Sequence, residues 1–241
     1  SRATGTRPSR PITVASATGI IVGMVLRIQG HNSTGGYPND MNGMSDGDAV
    51  VLTELVEVAD VSGAVLTLTC PLAQHHMTGL GVVDVVPVDD FVIDGFDLAD
   101  DGGTLAVGIR SLYTRGLQIR RCSGAGFSRA LVELAPGTSD FMVDVRGRGE
   151  NNSLVYMTSA LRGRVYASND ARGLRKHPNG IPRAGVNWRS RPTGVHVKAD
   201  LDHMCLAFRG WGGVDSSING TCRDMDSTGV AALDPEIGTP G

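Results

Sequence analysis

A strongly basic segment runs from Arg146 to Lys198 in an otherwise acidic chain. It holds eleven Lys and Arg residues and two acids, Glu150 and Asp170, so its formal charge is +9, whereas the whole chain of 241 residues carries −3. Clustered cations attract anions to the surface that bears them. The segment therefore predicts a surface for a polyanionic ligand, such as a uronate- or phosphate-bearing glycan. A solvated face and a subunit interface with the acidic remainder are the alternatives.

Some side chains of this segment could carry out eliminative cleavage. Cleavage beside a uronate carboxylate needs a base that removes the neighbouring proton and a cation that stabilises the developing charge. Lys176 and His177 lie in the loop Asn169–Gly185. His196 and Lys198 share one strand face through their i, i+2 spacing. Lys176, His177 and Lys198 are the predicted catalytic residues of a lyase, and merely exposed polar side chains are the alternative.

Paired carboxylates offer a second kind of chemistry. A glycoside hydrolase needs two carboxyl groups about 5–10 Å apart. Asp200 and Asp202 would share one face, as i, i+2 residues do, if the strand continues that far. Asp94 and Asp144 occupy the same position of their strands and form a second pair that could flank a groove. Asp residues that cap backbone amides at turns are the alternative.

The segment Val88–Gly103 is rich in Asp, and carboxylate oxygens are ligands that Ca²⁺ prefers. It lacks the Glu that ends an EF-hand loop, so we interpret these residues as turn Asp and predict no metal ligand. The four Cys show no CxxC or CxxH spacing. That spacing argues against a zinc knuckle and favours buried, reduced thiols.

Trp211 lies among glycines in Phe208–Asp215, where its ring either stacks on a sugar or closes one edge of the core. The sequence does not favour nucleic acid as a ligand, because aromatic residues form 5% of the chain and its net charge is negative. No apolar run approaches the roughly 18–20 residues that cross a bilayer, so membrane insertion is not expected.

The elements that must position these residues are short strands with a repeat. Alternating segments begin at residues 91, 116, 141, 163, 194 and 217, which gives spacings of 25, 25, 22, 31 and 23. A second series of short apolar segments lies between them, and helical periodicity is almost absent. A repeat of roughly 20–30 residues made of strands and turns is typical of a β-solenoid. A sandwich lacks such a period, and a leucine-rich repeat needs a Leu/Asn pattern that is missing here.

Stacked rungs would bring distant cations together. Residues one rung apart lie about 5 Å from each other, so Arg146, Arg164 and Lys198 are expected to form one column of positive charge. The predicted substrate-binding residues are Arg146, Arg164, Arg175, Arg183, His196 and Trp211.

The first 90 residues differ from this repeat. Thr13–Ile28, Asp48–Val61 and Gly63–Leu72 are predicted to be long strands, with a hairpin turn at Val61–Gly63. Because the chain begins with Ser and ends without a closing element, we expect it to be part of a longer polypeptide. The predicted organisation is a flexible segment at residues 1–11, a β-rich domain at 12–90, β-helix rungs at 91–230 and a tail at 231–241.

The succession of TVASATGIIVGMVLRI, TELVEVADVSGAVLTLTCPL and VDDFVIDGFDL resembles the opening of the pectate-lyase-like right-handed parallel β-helix family, which includes phage tail-spike and tail-associated polysaccharide-degrading proteins. The resemblance covers roughly Ile12 to Ser227 and lies in the strand pattern rather than in a catalytic signature. It implies an all-β, right-handed parallel β-helix preceded by a small β-rich domain. It also implies a homotrimer, and it makes Ca²⁺ the cofactor to consider, because related enzymes often combine an Arg or Lys base with acidic residues that hold this ion.

Together these observations predict a viral tail protein in the virion, or an extracellular protein, that binds an anionic bacterial surface polysaccharide. Its expected partners are the polysaccharide, further copies of the chain in a homotrimer, and other tail proteins. Cleavage by a lyase, or second by a hydrolase, stays open. So do a non-catalytic receptor-binding module of a tail fibre and a bacterial epimerase-like or adhesin β-helix.

Overall fold

A computed structural model describes residues 11–31, 51–73, 81–100, 105–148, 151, 153–158, 160–169, 184–189, 192–202, 206–211, 215–223 and 230–234. The regular secondary structure in these ranges is entirely β-strand, and they contain no helix long and apolar enough to span a bilayer. The chain divides into two compact units, Ser1–Pro87 and Val88–Gly241. Each unit has a hydrophobic core of its own.

The first unit contains an antiparallel sheet. Its strands are β1 (Ile12–Thr13), β2 (Val25–His31), β3 (Val51–Ser62), β4 (Val65–Leu68) and β5 (Gly81–Asp84). They pair in the order β1-β4-β3-β2-β5, and a turn at Gly63 joins β3 to β4 as the predicted hairpin. The prediction of one strand over Thr13–Ile28 was wrong. Gly19 and Gly23 have φ values of 83° and 85°, and such left-handed residues make turns between β1 and β2.

The core of this unit gathers apolar residues from β2, β3 and β4. Its fully buried members are Leu26, Ile28, Val56, Val58, Leu66 and Leu68. Glu54 lies on the same face of β3 as Val56 and is 1% exposed. Its Oε2 accepts a hydrogen bond of 2.7 Å from the backbone N–H of Ala73. That bond offsets part of the cost of burying a carboxyl group and fixes the chain after β4.

The second unit contains two parallel sheets. Its strands in chain order are β6 (Val88–Asp89), β7 (Val92–Asp94), β8 (Asp97–Ala99), β9 (Val107–Ser111), β10 (Thr114–Arg115), β11 (Gln118–Ala125), β12 (Ala130–Leu134), β13 (Ser139–Gly147), β14 (Val155–Thr158), β15 (Leu161–Asn169), β16 (Ala184–Arg189), β17 (Thr193–Asp202), β18 (Leu206–Trp211), β19 (Ser217–Arg223) and β20 (Val230–Asp234).

The connectivity of these strands is that of a parallel β-helix. The larger sheet has nine strands (β6, β7, β8, β10, β11, β13, β15, β17 and β19), and the smaller has six (β9, β12, β14, β16, β18 and β20). The chain passes from one sheet to the other and back, and all pairings within both sheets are parallel. The fold class predicted from the repeat is therefore confirmed.

The register of the larger sheet fixes which residues stack. One stack consists of Val92, Gln118, Met142, Arg164, His196 and Ser217. Successive rungs are thus 26, 24, 22, 32 and 21 residues long. The predicted segment starts at Gly116 and Gly194 lie one residue before the true alignment. Both glycines have positive φ, 71° and 66°. They lie two residues before the stack, at the corner where the chain turns into the outward-facing part of the larger sheet.

Left-handed residues recur at this corner from rung to rung. They are Asp90, Gly116, Asp140, Arg162, Gly194 and Asp215, with φ between 49° and 71°. A Cβ added to Gly194 would lie 3.7 Å from the Cα of Arg162, so the corner residues stack directly. Asp tolerates this conformation better than most residues, which explains why three of the positions need no glycine.

The core of the β-helix consists of stacked apolar side chains. Ile119, Val143, Val165 and Val197 follow one another in register, and each is at most 3% exposed. The next stack pairs Phe141 with Gly163. A Cβ on Gly163 would overlap the ring of Phe141, so the ring fills the space that the missing side chain leaves.

Replacement of Gly163 by Ala is expected to lower the free energy of unfolding by about 1–3 kcal/mol, because the added methyl group overpacks a closed core. Urea denaturation followed by intrinsic fluorescence measures the loss. Ser168→Ala, a partly exposed position of the same strand, is the matched control and should change stability by no more than about 0.5 kcal/mol. Equal stability of the two variants would contradict the proposed contact.

Candidate functional site

The outward residues of β13, β15, β17 and β19 form an ordered surface. Alternation in β13 and β15 buries every second residue and leaves those between them wholly or partly exposed. The register aligns these outward residues in three columns, which we call the outer face: Met142–Arg164–His196–Ser217, Asp144–Tyr166–Lys198–Asn219 and Arg146–Ser168–Asp200–Thr221. Neighbours within a column are about 4.8 Å apart, and adjacent columns are about 6.6 Å apart along the strands.

Three cations that were expected to form one column belong to three different columns. Arg164, Lys198 and Arg146 lie in the first, second and third columns, on successive rungs. The expectation placed all three cations late in their strands, and it was wrong because Arg164 is the second residue of its alternating segment, whereas Lys198 and Arg146 are the fifth and sixth of theirs. The backbone register pairs Arg164 with Met142 and His196. The three cations therefore do not stack in one column.

Tyr166 provides the aromatic ring of the outer face. Its side chain is 40% exposed, and it stands in register between Asp144 and Lys198. An exposed aromatic ring on a sheet surface can cover the apolar C–H face of a sugar while its hydroxyl group stays in water. Sequence analysis missed this residue. The available signal was its outward position in the alternating segment GRVYASN.

Arg164 and Lys198 are exposed cations beside this ring. Within the described part of the chain, neither has an ion-pair partner. His196 lies next to Arg164 in the first column, and its Nδ1 is 2.8 Å from the Oγ of Ser217. The result is a cluster of basic side chains in which Arg164 and Lys198 offer their charges to a ligand.

Other cations in or beside the larger sheet are bound to carboxylates one or two rungs away. Arg162 donates two hydrogen bonds of 2.8 Å to Asp140, and Arg148 lies 2.9 Å from Asp97. The basic segment of the sequence is therefore partly neutralised in the fold. Two earlier rungs contain the same arrangement, in the pairs Arg115–Asp89 and Arg121–Asp94.

These arginines lower the pKa of their carboxylate partners. For Asp89 and Asp94 the main cause is the hydrogen bond from the guanidinium group. For Asp140 burial raises the pKa, but the hydrogen bond and the charge of Arg162 together outweigh it, so the pKa is lowered. All three groups are thus held in the charged form.

The carboxylates considered for hydrolysis have different surroundings. Asp200 is exposed, and its Oδ1 accepts a hydrogen bond of 2.9 Å from Thr221. β17 extends to Asp202, so the two Asp are alternate residues of one strand. Asp94 and Asp144 belong to equivalent positions two rungs apart, but Asp94 is already bound by Arg121.

In the described part of the Asp-rich segment Val88–Gly103, carboxylates hold rungs together. Asp89, Asp94 and Asp97 each contact an arginine of a later rung. Among the described residues, no group of three or more His, Cys, Asp or Glu side chains is arranged to hold a metal ion.

Several predicted site residues cannot be compared with the outer face. Arg175, Lys176, His177 and Arg183 lie outside the described residues. Trp211 ends β18, where its backbone is in register with Asp234 of β20. The larger sheet does bring together Arg164, His196 and Lys198, with Arg146 and Asp200 on the same face.

The smaller sheet carries a second polar cluster that sequence analysis missed. Glu133 is 3% exposed, and its carboxylate lies 3.1 Å from Arg129 and 3.8 Å from Arg110. The guanidinium of Arg129 also stacks 4.6 Å above the ring of Tyr156, which is in register with Glu133. These contacts offset the free-energy cost of burying the Glu133 carboxylate, and they link residues of successive rungs.

No family model matches the chain, and no curated protein matches it. Among solved structures, it is similar to the Gp54 tailspike of Acinetobacter baumannii bacteriophage AP22, in complex with A. baumannii capsular saccharide, and to the tailspike protein gp49 from Pseudomonas phage LKA1. The sequence identities are 16% and 15%, and the TM-scores are 0.40 and 0.38. Each alignment covers 90% of this chain but only 44% and 40% of the respective tailspike. The chain thus spans less than half the length of either structure.

Asp140→Asn is expected to make the free energy of unfolding less dependent on pH in the acidic range. The folded-state pKa of Asp140 lies below its ordinary value of 3.8, so its pairing with Arg162 stabilises the fold above that value and is lost as the pH falls through the folded pKa. Because the pair is half exposed, we expect a deficit of at most about 1 kcal/mol for the variant at neutral pH. Urea unfolding at neutral pH and well below the ordinary Asp pKa measures it. A deficit that persists unchanged in acid would contradict this assignment.

Proposed function

We propose that this chain is the glycan-binding β-helix of a tailspike-like or tail-associated attachment protein, and that it binds bacterial surface polysaccharide on the outer face. The observation that carries the proposal is the exposed ring of Tyr166 beside Arg164 and Lys198, two cations that have no ion-pair partner among the described residues. The ring offers a stacking surface, and the cations offer charge-assisted hydrogen bonds to an acidic sugar.

The rigidity of the outer face supports this role. Its residues project from consecutive strands whose backbones are hydrogen-bonded in one parallel sheet. A ligand therefore meets side chains that start from a fixed backbone spacing, so binding does not have to order the backbone. Long polysaccharides benefit from such a surface because contacts on several rungs can add up.

Eliminative cleavage is the catalytic form of the proposal. Lys198, in its neutral amine form, would take the proton next to a uronate carboxyl group and become an ammonium group, and Arg164 would stabilise the negative charge that develops. The electron pair of the broken C–H bond would form the new double bond as the glycosidic oxygen leaves and takes up a proton from solvent. The adjacency of Lys198, His196 and Arg164 favours a lyase over a hydrolase built on Asp200 and Asp202. Lys176 and His177 remain proposed participants.

Assembly and location complete the proposal. We expect the chain to act as part of a homotrimer that attaches to other tail proteins in the virion. A receptor-binding module without catalysis would use the same outer face and the same residues. Ca²⁺ would enter only as a cofactor of the eliminative form.

Tyr166→Ala is expected to weaken glycan binding about tenfold, because it removes the stacking surface without changing the charge of the outer face. Titration calorimetry with a panel of acidic capsular polysaccharides measures the affinity. Arg164→Ala should weaken binding of acidic glycans alone, and increasingly so as the salt concentration falls.

Arg121→Ala is the matched control for Arg164→Ala. It removes the same charge from the same sheet, but from an arginine that Asp94 already binds. We expect it to leave glycan affinity within about twofold of the parent protein. Equal losses for Arg121→Ala and Arg164→Ala would rule out the outer face as the binding surface.

Lys198→Ala is expected to abolish the ultraviolet absorbance of unsaturated uronate products while glycan binding persists with a loss of about tenfold. An absorbance that rises at the parental rate in this variant would refute Lys198 as the base. Parent protein that binds the glycan and never produces the absorbance would identify a recognition module.

A further inference from the structure

We infer that the outer face binds a glycan in which single acidic sugars are separated by neutral ones, rather than a homopolymer of uronic acid. This inference rests on the proposed function, because it concerns the composition of the glycan that the same surface binds. The argument depends on which residues surround the basic cluster of the outer face.

Arg164 and Lys198, the outer-face cations without a partner among the described residues, form one compact cluster with His196 and Tyr166. Arg164 and His196 are neighbours in the first column, and Lys198 follows His196 by two residues on β17. Tyr166 occupies the fourth corner, in register with Lys198. The sides of this rectangle measure about 4.8 Å and about 6.6 Å. One carboxylate above it can reach both Arg164 and Lys198 while its sugar ring covers Tyr166.

Two sides of this cluster are bounded by exposed carboxylates. Asp144 is in register with Tyr166 on the preceding rung, and Asp200 follows Lys198 by two residues on the same strand. Asp200 is fixed by its hydrogen bond from Thr221. An anion placed one step beyond the cluster on either side would therefore meet a negative charge at close range.

The other two sides offer no free cation among the residues that the structure describes. On the next rung, the positions in register with His196 and Lys198 are Ser217 and Asn219, which are uncharged. Two residues before Arg164 stands Arg162, whose guanidinium is bound to Asp140. Arg146, next to Asp144 on β13, is likewise engaged within the protein.

A glycan can therefore place one anionic group on the outer face at this point, whichever direction its chain takes. A homopolyuronate carries a carboxylate on every sugar, so its next residue would face Asp144 or Asp200, or would lose water without gaining a partner. A neutral neighbour avoids this cost, and its hydroxyl groups can donate hydrogen bonds to the same two carboxylates. The carboxylates that repel a second anion thus favour a neutral sugar.

The test compares two uronate glycans with the full chain. Oligogalacturonate carries a carboxylate on every sugar, and hyaluronan oligosaccharides carry one on every second sugar; both are used with equal numbers of carboxylates at low salt. We expect the parent protein to bind the hyaluronan oligosaccharide about fivefold or more tightly. Equal affinities, or preference for oligogalacturonate, would overturn the inference.

Asp144→Asn removes one boundary charge and keeps the shape of the side chain. It is expected to raise the affinity for oligogalacturonate about fivefold and to leave that for hyaluronan within about twofold. Asp60→Asn, at an exposed position of β3 in the first unit, is the control for the same change of net charge. If Asp144→Asn and Asp60→Asn raise the affinity for oligogalacturonate equally, net charge alone explains the gain and the inference is overturned.

Failure of the proposed function and failure of the inference alone give different binding results. If Tyr166→Ala leaves the affinity for both glycans unchanged, or neither glycan binds, the outer face is not a glycan site and the inference falls with it. If both glycans bind in a manner that requires Tyr166 but without the expected preference, the proposed function stands and the inference alone is wrong.

Discussion

Hydrogen bonding between parallel strands of successive rungs is the constraint on which the β-helix depends. Each strand of the larger sheet must match the next residue by residue, as in the pairing of β13 with β15 and of β15 with β17. Inward residues then build continuous apolar stacks, and outward residues build columns. The outer face, the ion pairs between rungs and the Phe141–Gly163 contact are all consequences of this one register.

The rungs vary in length, but the corner before the outer face is the same on each of them. Rungs of 21 to 32 residues all return to the same left-handed corner before the larger sheet. Asp140 and Arg162 occupy two of these corner positions and also bind each other. The strained backbone and the ion pair thus occur at the same place, where the pair helps to hold the chain in its unusual conformation. Insertions elsewhere in a rung leave the sheet unaffected.

Sequence patterns predicted the fold better than the site. Alternation in Phe141–Gly147 and Gly163–Asn169 has a period of two and marks each strand without knowledge of its neighbours. Register is different, since the corner glycines Gly116 and Gly194 look like strand residues and shift the alignment by one. Several arginines have partners on other rungs, 22 residues away in Arg162–Asp140 and 27 in Arg121–Asp94, so charge counted along the chain could not show which cations are neutralised. Tyr166 was missed for the same reason, because its surroundings come from two other rungs.

Alternation along β13, β15 and β17 has a consequence for how such a surface changes over generations. Inward positions, which specify packing, and outward positions are interleaved in the sequence but lie on opposite faces of the sheet. If the outer face binds glycan as proposed, a codon change at an outward position such as Asp144 alters the ligand preference and leaves the stacks of Val143 and Val145 untouched. The ligand preference can therefore change by single substitutions. Because these leave the core intact, no second mutation is needed to restore stability.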